Sequence, residues 1–76
     1  MIDQERMAFF ERQGEDAYSR MYEATSSSDA TARYSDAKEA FYSAIGIAQQ
    51  LADRDSAERL EVRLVQIKAV FRSQFS

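Results

Sequence analysis

Apolar residues recur at intervals of three and four along three separate stretches of this chain, and this spacing constrains the fold more than any other feature. The three stripes comprise Met7, Phe10, Gly14, Ala17 and Met21; then Tyr34, Ala37, Phe41, Ala44, Ala48 and Leu51; then Ala57, Leu60, Leu64, Ile67 and Phe71, with Phe75 beyond them. Residues spaced in this way lie along one side of an α-helix. No stretch shows the strict alternation of a half-buried strand. We therefore predict an all-α fold of three amphipathic helices.

Capping signals indicate where the helices begin. Serine and aspartate side chains accept hydrogen bonds from the free N–H groups of a first helical turn. We predict that Asp3 caps the first helix, that Ser26 or Ser28 caps the second, and that Asp55 caps the third. The three helices are then expected to span about residues 3–24, 29–52 and 55–74. Two short joints between them predict one domain, an antiparallel up-down-up three-helix bundle that occupies all 76 residues.

Small residues occupy the middle of the first two stripes. A glycine inside a helix costs about 1 kcal/mol relative to alanine, so Gly14 needs a compensating role. We predict that it allows another helix or a large side chain to approach the backbone. The large side chains available for this contact are Phe10, Phe41, Leu60, Leu64 and Phe71.

Several apolar side chains do not fit the stripes. Val62, Val65 and Ala69 form a second narrow strip on the third helix, nearly opposite its main stripe, and Phe9 and Tyr42 lie off the main faces of their helices. A helix of a simple bundle is expected to be polar on its outer face. These five residues are therefore predicted to bind a partner, either a second copy or another helical protein. The alternative is that they are ordinary exposed or flanking residues of a small domain.

The composition argues against catalysis. The chain has no cysteine, no histidine and only two glycines, so it lacks thiolate and imidazole ligands, an imidazole base and a glycine-rich phosphate loop. Glu11, Glu15 and Asp16 form an acidic cluster, which we interpret as a solvated face with Arg12–Asp16 and Asp16–Arg20 pairs. We predict no catalytic, metal-binding or cofactor-binding residue, no cofactor and no enzymatic activity.

Charge bears on the choice of partner. A net charge of −3 makes nucleic acid an unlikely partner. Residues from 54 onward nevertheless carry five basic and three acidic side chains, against three basic and six acidic ones in residues 1–24. The alternative function is accordingly a nucleic-acid-associated regulatory protein that uses the basic third helix. Attraction between this helix and the acidic first helix, within the fold or across a dimer, is the more economical interpretation.

The sequence also limits where the protein acts. No stretch approaches the roughly 20 apolar residues of a membrane span, so we predict no membrane partner. The acidic, polar residues 1–6 do not resemble a secretory signal peptide. We expect a cytoplasmic protein.

Residues 34–47 carry a family resemblance. Ala37 is followed by an aromatic residue, Phe41, then by Ala44 and the aliphatic Ile45 and Ile47. This pattern resembles the second helix of a tetratricopeptide repeat and, followed by a third helix, looks like the microtubule-interacting-and-transport domain. The chain departs from the repeat in having no proline and no second copy of the pattern. The resemblance implies a helical protein-binding scaffold, and we predict a small protein-binding or self-associating module.

Overall fold

The computed structural model describes residues 2–75 and shows three α-helices. They are α1 (Asp3–Glu23), α2 (Ser27–Gln50) and α3 (Arg54–Phe75). No strand occurs within this part of the chain. The predicted all-α bundle is confirmed. The α1 helix begins as predicted and ends one residue earlier, and α3 is one residue longer at each end. The α2 helix begins and ends two residues earlier than predicted. The prediction for the Phe75 side chain lies outside the described residues.

The α2 helix is the middle element and packs against both α1 and α3. It buries more of its surface than the predicted stripe, because it has a neighbour on two sides. Ala40 lines one surface groove together with Ala17 of α1, whereas Ile45 lines another together with Leu64 of α3. The buried residues of α2 are Ala30, Ala37, Ala40, Phe41, Ala44, Ile45, Ile47 and Ala48. The prediction that Leu51 belongs to the buried stripe is wrong, since Leu51 lies beyond the last turn and is exposed.

Phe41 lies at the centre of the core. It is fully buried in a cluster with residues of α2 and α3, and Met7, Phe10 and Tyr18 of α1 pack against that cluster. A Cβ atom added at Gly14 would lie 2.6 Å from both Cδ2 and Cε2 of Phe41. The predicted close approach at Gly14 is therefore confirmed, and the large partner is Phe41.

The first two helices begin differently. Asp3 is not the cap of α1, because Ile2 occupies the N-cap position without a side-chain hydrogen bond. Asp3 lies in the first turn instead and pairs with Arg6 at 3.4 Å. The α2 helix has the predicted serine cap, since the Asp29 N–H donates to Ser26 Oγ at 3.1 Å. One of the two cap predictions is thus confirmed and the other is wrong.

Three residues join α2 to α3 and complete both helices. The Ala52 N–H donates to the Gln49 carbonyl at 3.1 Å and the Asp53 N–H to the Ala48 carbonyl at 2.9 Å, which is the Schellman pattern of a helix end. The Asp53 carboxylate then accepts the Ser56 N–H at 3.1 Å and caps α3. Its hydrogen bonds to the Ser56 side chain and backbone lower the pKa of Asp53. The predicted cap at Asp55 is wrong, because the preceding helix ends early enough for Asp53 to serve.

Ala52 has the left-handed backbone conformation that glycine usually supplies at this position, with φ 55°. This conformation costs a residue with a Cβ atom about 1–2 kcal/mol. We expect Ala52→Gly to raise the free energy of unfolding by about 1 kcal/mol and the melting temperature by about 4–8 °C. Thermal unfolding followed by circular dichroism measures this shift.

Ala24 provides the control for that substitution. It follows α1 with φ −64°, where glycine gains nothing and only adds freedom to the unfolded chain. Ala24→Gly is expected to lower the melting temperature. Stabilisation of both variants, or of neither, would contradict the strain at Ala52.

Candidate protein-binding face

A shallow groove runs between α2 and α3 and brings together two of the predicted binding residues. Its volume is about 490 Å³, and it is lined by Tyr42, Ile45, Gly46, Gln49, Glu61, Leu64, Val65 and Lys68. Tyr42 and Val65 lie on its opposite sides, although 22 residues separate them in the sequence. The buried side chains of Ile45 and Leu64 provide an apolar floor. Gly46 adds no side chain there, which keeps the groove open.

Lys68 connects the two sides of the groove. Its Nζ donates a hydrogen bond to the Tyr42 hydroxyl at 2.8 Å and lies 5.3 Å from the centroid of the tyrosine ring. The hydrogen bond and the positive charge of Lys68 lower the pKa of Tyr42, with Lys38 adding to the effect. The contact links the exposed tyrosine of α2 to α3 at the groove.

The three predicted residues of α3 form a continuous exposed strip. Val62 and Val65 are 52% and 64% exposed, and Ala69 is exposed as well. Their spacing of three and four residues places them on one side of the helix. Val65 belongs to both the strip and the groove. We call the groove together with Tyr42, Val62, Val65 and Ala69 the α2–α3 face.

Phe9 is not brought together with the other four residues. It lies on α1, which contributes no residue to the groove, and its ring is 42% exposed. The edge of the ring meets Phe10, with centroids 5.5 Å apart and planes at 72°. Phe10 itself packs against the core, so the Phe9 ring contacts a side chain that the core holds in place. The structure therefore places Phe9 apart from the α2–α3 face.

Two arginines of α3 are held by carboxylates of α1. Arg63 donates to Glu15 through Nε at 2.7 Å and through Nη2 at 2.8 Å, and Arg59 Nη2 donates to Glu11 at 3.2 Å. The predicted attraction between α1 and α3 is confirmed, and it acts within the fold. Both pairs join residues 48 positions apart, so α1 and α3 run in the same direction, as an up-down-up bundle requires.

The ion pairs continue into an aromatic cluster. The guanidinium of Arg63 lies 4.9 Å from the centroid of the Tyr18 ring, and the Tyr18 and Tyr22 hydroxyls are 3.2 Å apart. The hydrogen bond with Tyr22 raises the pKa of Tyr18. The hydrogen bond with Glu15 likewise raises the pKa of Arg63, which stays charged. This cluster ties α1 to α3 on the side of the bundle where Arg63 meets Glu15.

A second groove, between α1 and α2, has a different character. Ala17 and Ala40 lie in it among charged side chains of both helices. Arg33 at its border pairs with Asp29 at 3.5 Å and with Asp36 at 3.3 Å. Local ion pairs thus engage Arg33 and Asp36 in this groove, and the exposed valines of α3 do not line it.

Several residues of the groove are not predicted from the sequence. The apolar stripe of α2 predicts one buried face only, and it therefore does not identify Ile45 and Gly46 as part of a second surface. The sequence feature that indicates this second face is the pair Ile45 and Ile47 on either side of Gly46. Such closely spaced apolar residues point to different sides of a helix, which is typical of a helix packed between two neighbours. No sequence feature indicates that the polar residues Gln49 and Glu61 line the groove.

Two further properties of residues 2–75 bear on function. No group of three or more acidic side chains is arranged to hold a metal ion in this part of the chain. None of the three helices described is long and apolar enough to cross a membrane. Comparison of the chain with protein families, curated proteins and solved structures found no match.

Proposed function

We propose that this chain is a non-catalytic protein-binding module that docks a helix of another polypeptide on its α2–α3 face. The observation that supports this proposal is the exposure of Val62 and Val65 beside an apolar groove. Fully covering a valine side chain contributes about 1.5–3 kcal/mol. Val62 and Val65 are already about half covered, so together they supply part of the free energy that association needs. The proposal includes a cytoplasmic location, which rests on the composition of the sequence.

A helix is the partner element that suits this surface. Two packed helices present a groove into which the side-chain ridge of a third helix fits. Helix-in-groove recognition uses apolar side chains at intervals of three and four residues, the spacing that Val62, Val65 and Ala69 themselves have. The resemblance of residues 34–47 to helical protein-binding scaffolds favours the same function.

The nucleic-acid alternative receives less support. Arg59 and Arg63 carry much of the positive charge of α3, and both are hydrogen-bonded to carboxylates of α1. Lys68 donates to Tyr42. Phosphate binding would have to compete with these internal contacts, and it would act against a net charge of −3.

Site-specific photo-crosslinking tests the proposed function. A benzophenone amino acid replaces Tyr42 in one variant and Tyr22 in another, since both tyrosines are about half exposed and each hydroxyl has a tyrosine or lysine partner. In extract of the native cells we expect a discrete polypeptide adduct at position 42 and none at position 22. Excess purified chain should compete away an adduct with a different polypeptide, because it occupies that partner. An adduct with a second copy would instead have twice the mass of the chain and would persist.

A variant of the competing chain provides the control. Purified chain with Val65→Glu should fail to compete, since a charge in the middle of the α2–α3 face opposes docking. Circular dichroism of this variant must match the original chain, as expected for a side chain that is 64% exposed. Equal labelling at positions 42 and 22, or full competition by Val65→Glu, would contradict the proposed function.

A further inference from the structure

The exposed strip of α3 has an ordered charge pattern. Glu58 and Glu61 lie on the N-terminal side of Val65, and Lys68 and Arg72 lie on its C-terminal side. At about 100° per residue these four positions fall within roughly 60° of the direction of Val65. The strip is therefore acidic at one end, apolar in the middle and basic at the other end.

This pattern is complementary to itself when a second strip is reversed. We propose that the partner is a second copy of this chain, bound antiparallel through α3 with a two-fold axis near Val65. This inference rests on the proposed function and names the partner of the same face. Glu58 then lies near Arg72 of the second copy and Glu61 near Lys68 of the second copy, and the symmetry makes each pair twice. A parallel arrangement instead places like charges together and is disfavoured.

The apolar residues fit the same arrangement. Val65 meets Val65 of the second copy near the axis, and Val62 lies near Ala69 of the second copy. Alanine opposite valine lets the helix axes approach, as small residues do at helix crossings. Lys68 keeps its bond to Tyr42, because an ammonium group has three donors and the Tyr42 contact uses one.

Dimerisation also adds stability that a domain of this small size lacks as a monomer. A folded chain of this length buries only about 60% of the surface that its unfolded form exposes, so a monomer has little surplus stability. Covering the valine strip removes further apolar surface from water. Folding and association are then coupled, and the melting temperature rises with protein concentration.

Cysteine crosslinking tests the antiparallel arrangement directly. The chain contains no cysteine, so each introduced thiol reports alone. A disulfide requires Cα atoms about 4.4–6.8 Å apart, whereas positions 58 and 72 each lie about 10 Å along the helix from the axis at Val65. Purified Val65→Cys should therefore form a crosslinked homodimer rapidly under mild oxidation. Glu58→Cys alone and Arg72→Cys alone should not.

A mixture of the last two variants gives the decisive result. Glu58→Cys mixed with Arg72→Cys should yield the heterodimer, which a small mass tag on one chain identifies by electrophoresis. The second Glu58–Arg72 pair stays intact in this heterodimer. Efficient homodimers of Glu58→Cys and of Arg72→Cys, with no preference for the mixture, would mean a parallel arrangement and would overturn the inference.

Sedimentation equilibrium supplies an independent readout on purified protein. Glu61→Lys should weaken association at least tenfold at low salt, and the double variant Glu61→Lys with Lys68→Glu should recover most of it. Glu23→Lys, an equal charge change at the end of α1, should leave association unchanged. A purified chain that is monomeric and uncrosslinked at every concentration overturns self-association alone. The Tyr42 adduct with a different polypeptide would then still support the proposed function, and its absence as well would remove both.

Discussion

Replacing Phe41 by alanine is expected to remove a large part of the free energy of unfolding. Phe41 is fully buried and is the largest side chain of the central cluster. Truncating a buried phenylalanine to alanine costs about 3–5 kcal/mol, from lost transfer energy and from the cavity left behind. A domain of this length has about 4–11 kcal/mol in total. Urea unfolding followed by circular dichroism at 222 nm measures the loss.

The neighbouring residue provides the control for this prediction. Tyr42 is 53% exposed, so Tyr42→Ala removes a surface ring and the contact with Lys68, and it is expected to cost under about 1 kcal/mol. Phe41→Leu should give an intermediate loss, because leucine fills part of the space. A Phe41→Ala variant as stable as Tyr42→Ala would contradict the central position of Phe41.

The helices were predictable because their driving force is local in the sequence. Residues such as Ala17, Met21, Leu60, Leu64 and Ile67 recur at helical spacing, and all five are buried. The apolar period alone identifies the side of each helix that faces the core. The close contact at Gly14 followed from the same reasoning, since a glycine in the middle of a stripe is unfavourable unless the backbone is approached.

The helix ends were harder to predict, because competing caps lie within a few residues. Asp53 and Asp55 are both good N-cap residues, and the choice between them depends on where α2 stops. That stop occurs at Ala52 in a left-handed conformation, for which the sequence gives no glycine signal. Once α2 ends there, Asp53 is the first carboxylate able to reach the free N–H of Ser56.

Only the part of the candidate site that lies on a single helix could be predicted from the sequence. Helical spacing alone joins Val62, Val65 and Ala69, because they lie on one helix. The meeting of Tyr42 with Val65 depends on how α2 and α3 are rotated about their axes, which is set by the side chains packed between them. Phe9 is separated from this face for a similar reason, because the separation depends on which sides of α2 are occupied by α1 and by α3.

Gly14→Ala is expected to destabilise the fold although alanine is the better helix former. The substitution gains about 1 kcal/mol of helix propensity. The new Cβ atom would lie 2.6 Å from two ring carbons of Phe41, a distance that requires either the ring or α1 to move. Phe41 is enclosed on all sides, and overpacking of this kind costs about 1–3 kcal/mol or more. Because the contact is short and the ring is fully buried, the upper part of this cost range applies, and we expect a net loss of about 1–2 kcal/mol, measured by urea unfolding.

The second glycine of the chain is the matched control. A Cβ atom added at Gly46 has no neighbour within 4 Å, so Gly46→Ala should keep the whole propensity gain and stabilise the chain by about 1 kcal/mol. Opposite signs for the same substitution isolate the contact with Phe41 from the backbone effect. Adding Phe41→Leu to Gly14→Ala should cost less than the two separate losses combined, because a smaller side chain relieves the overlap. Strict additivity, or stabilisation by Gly14→Ala, would show that the ring moves aside freely and that Gly14 has no packing role.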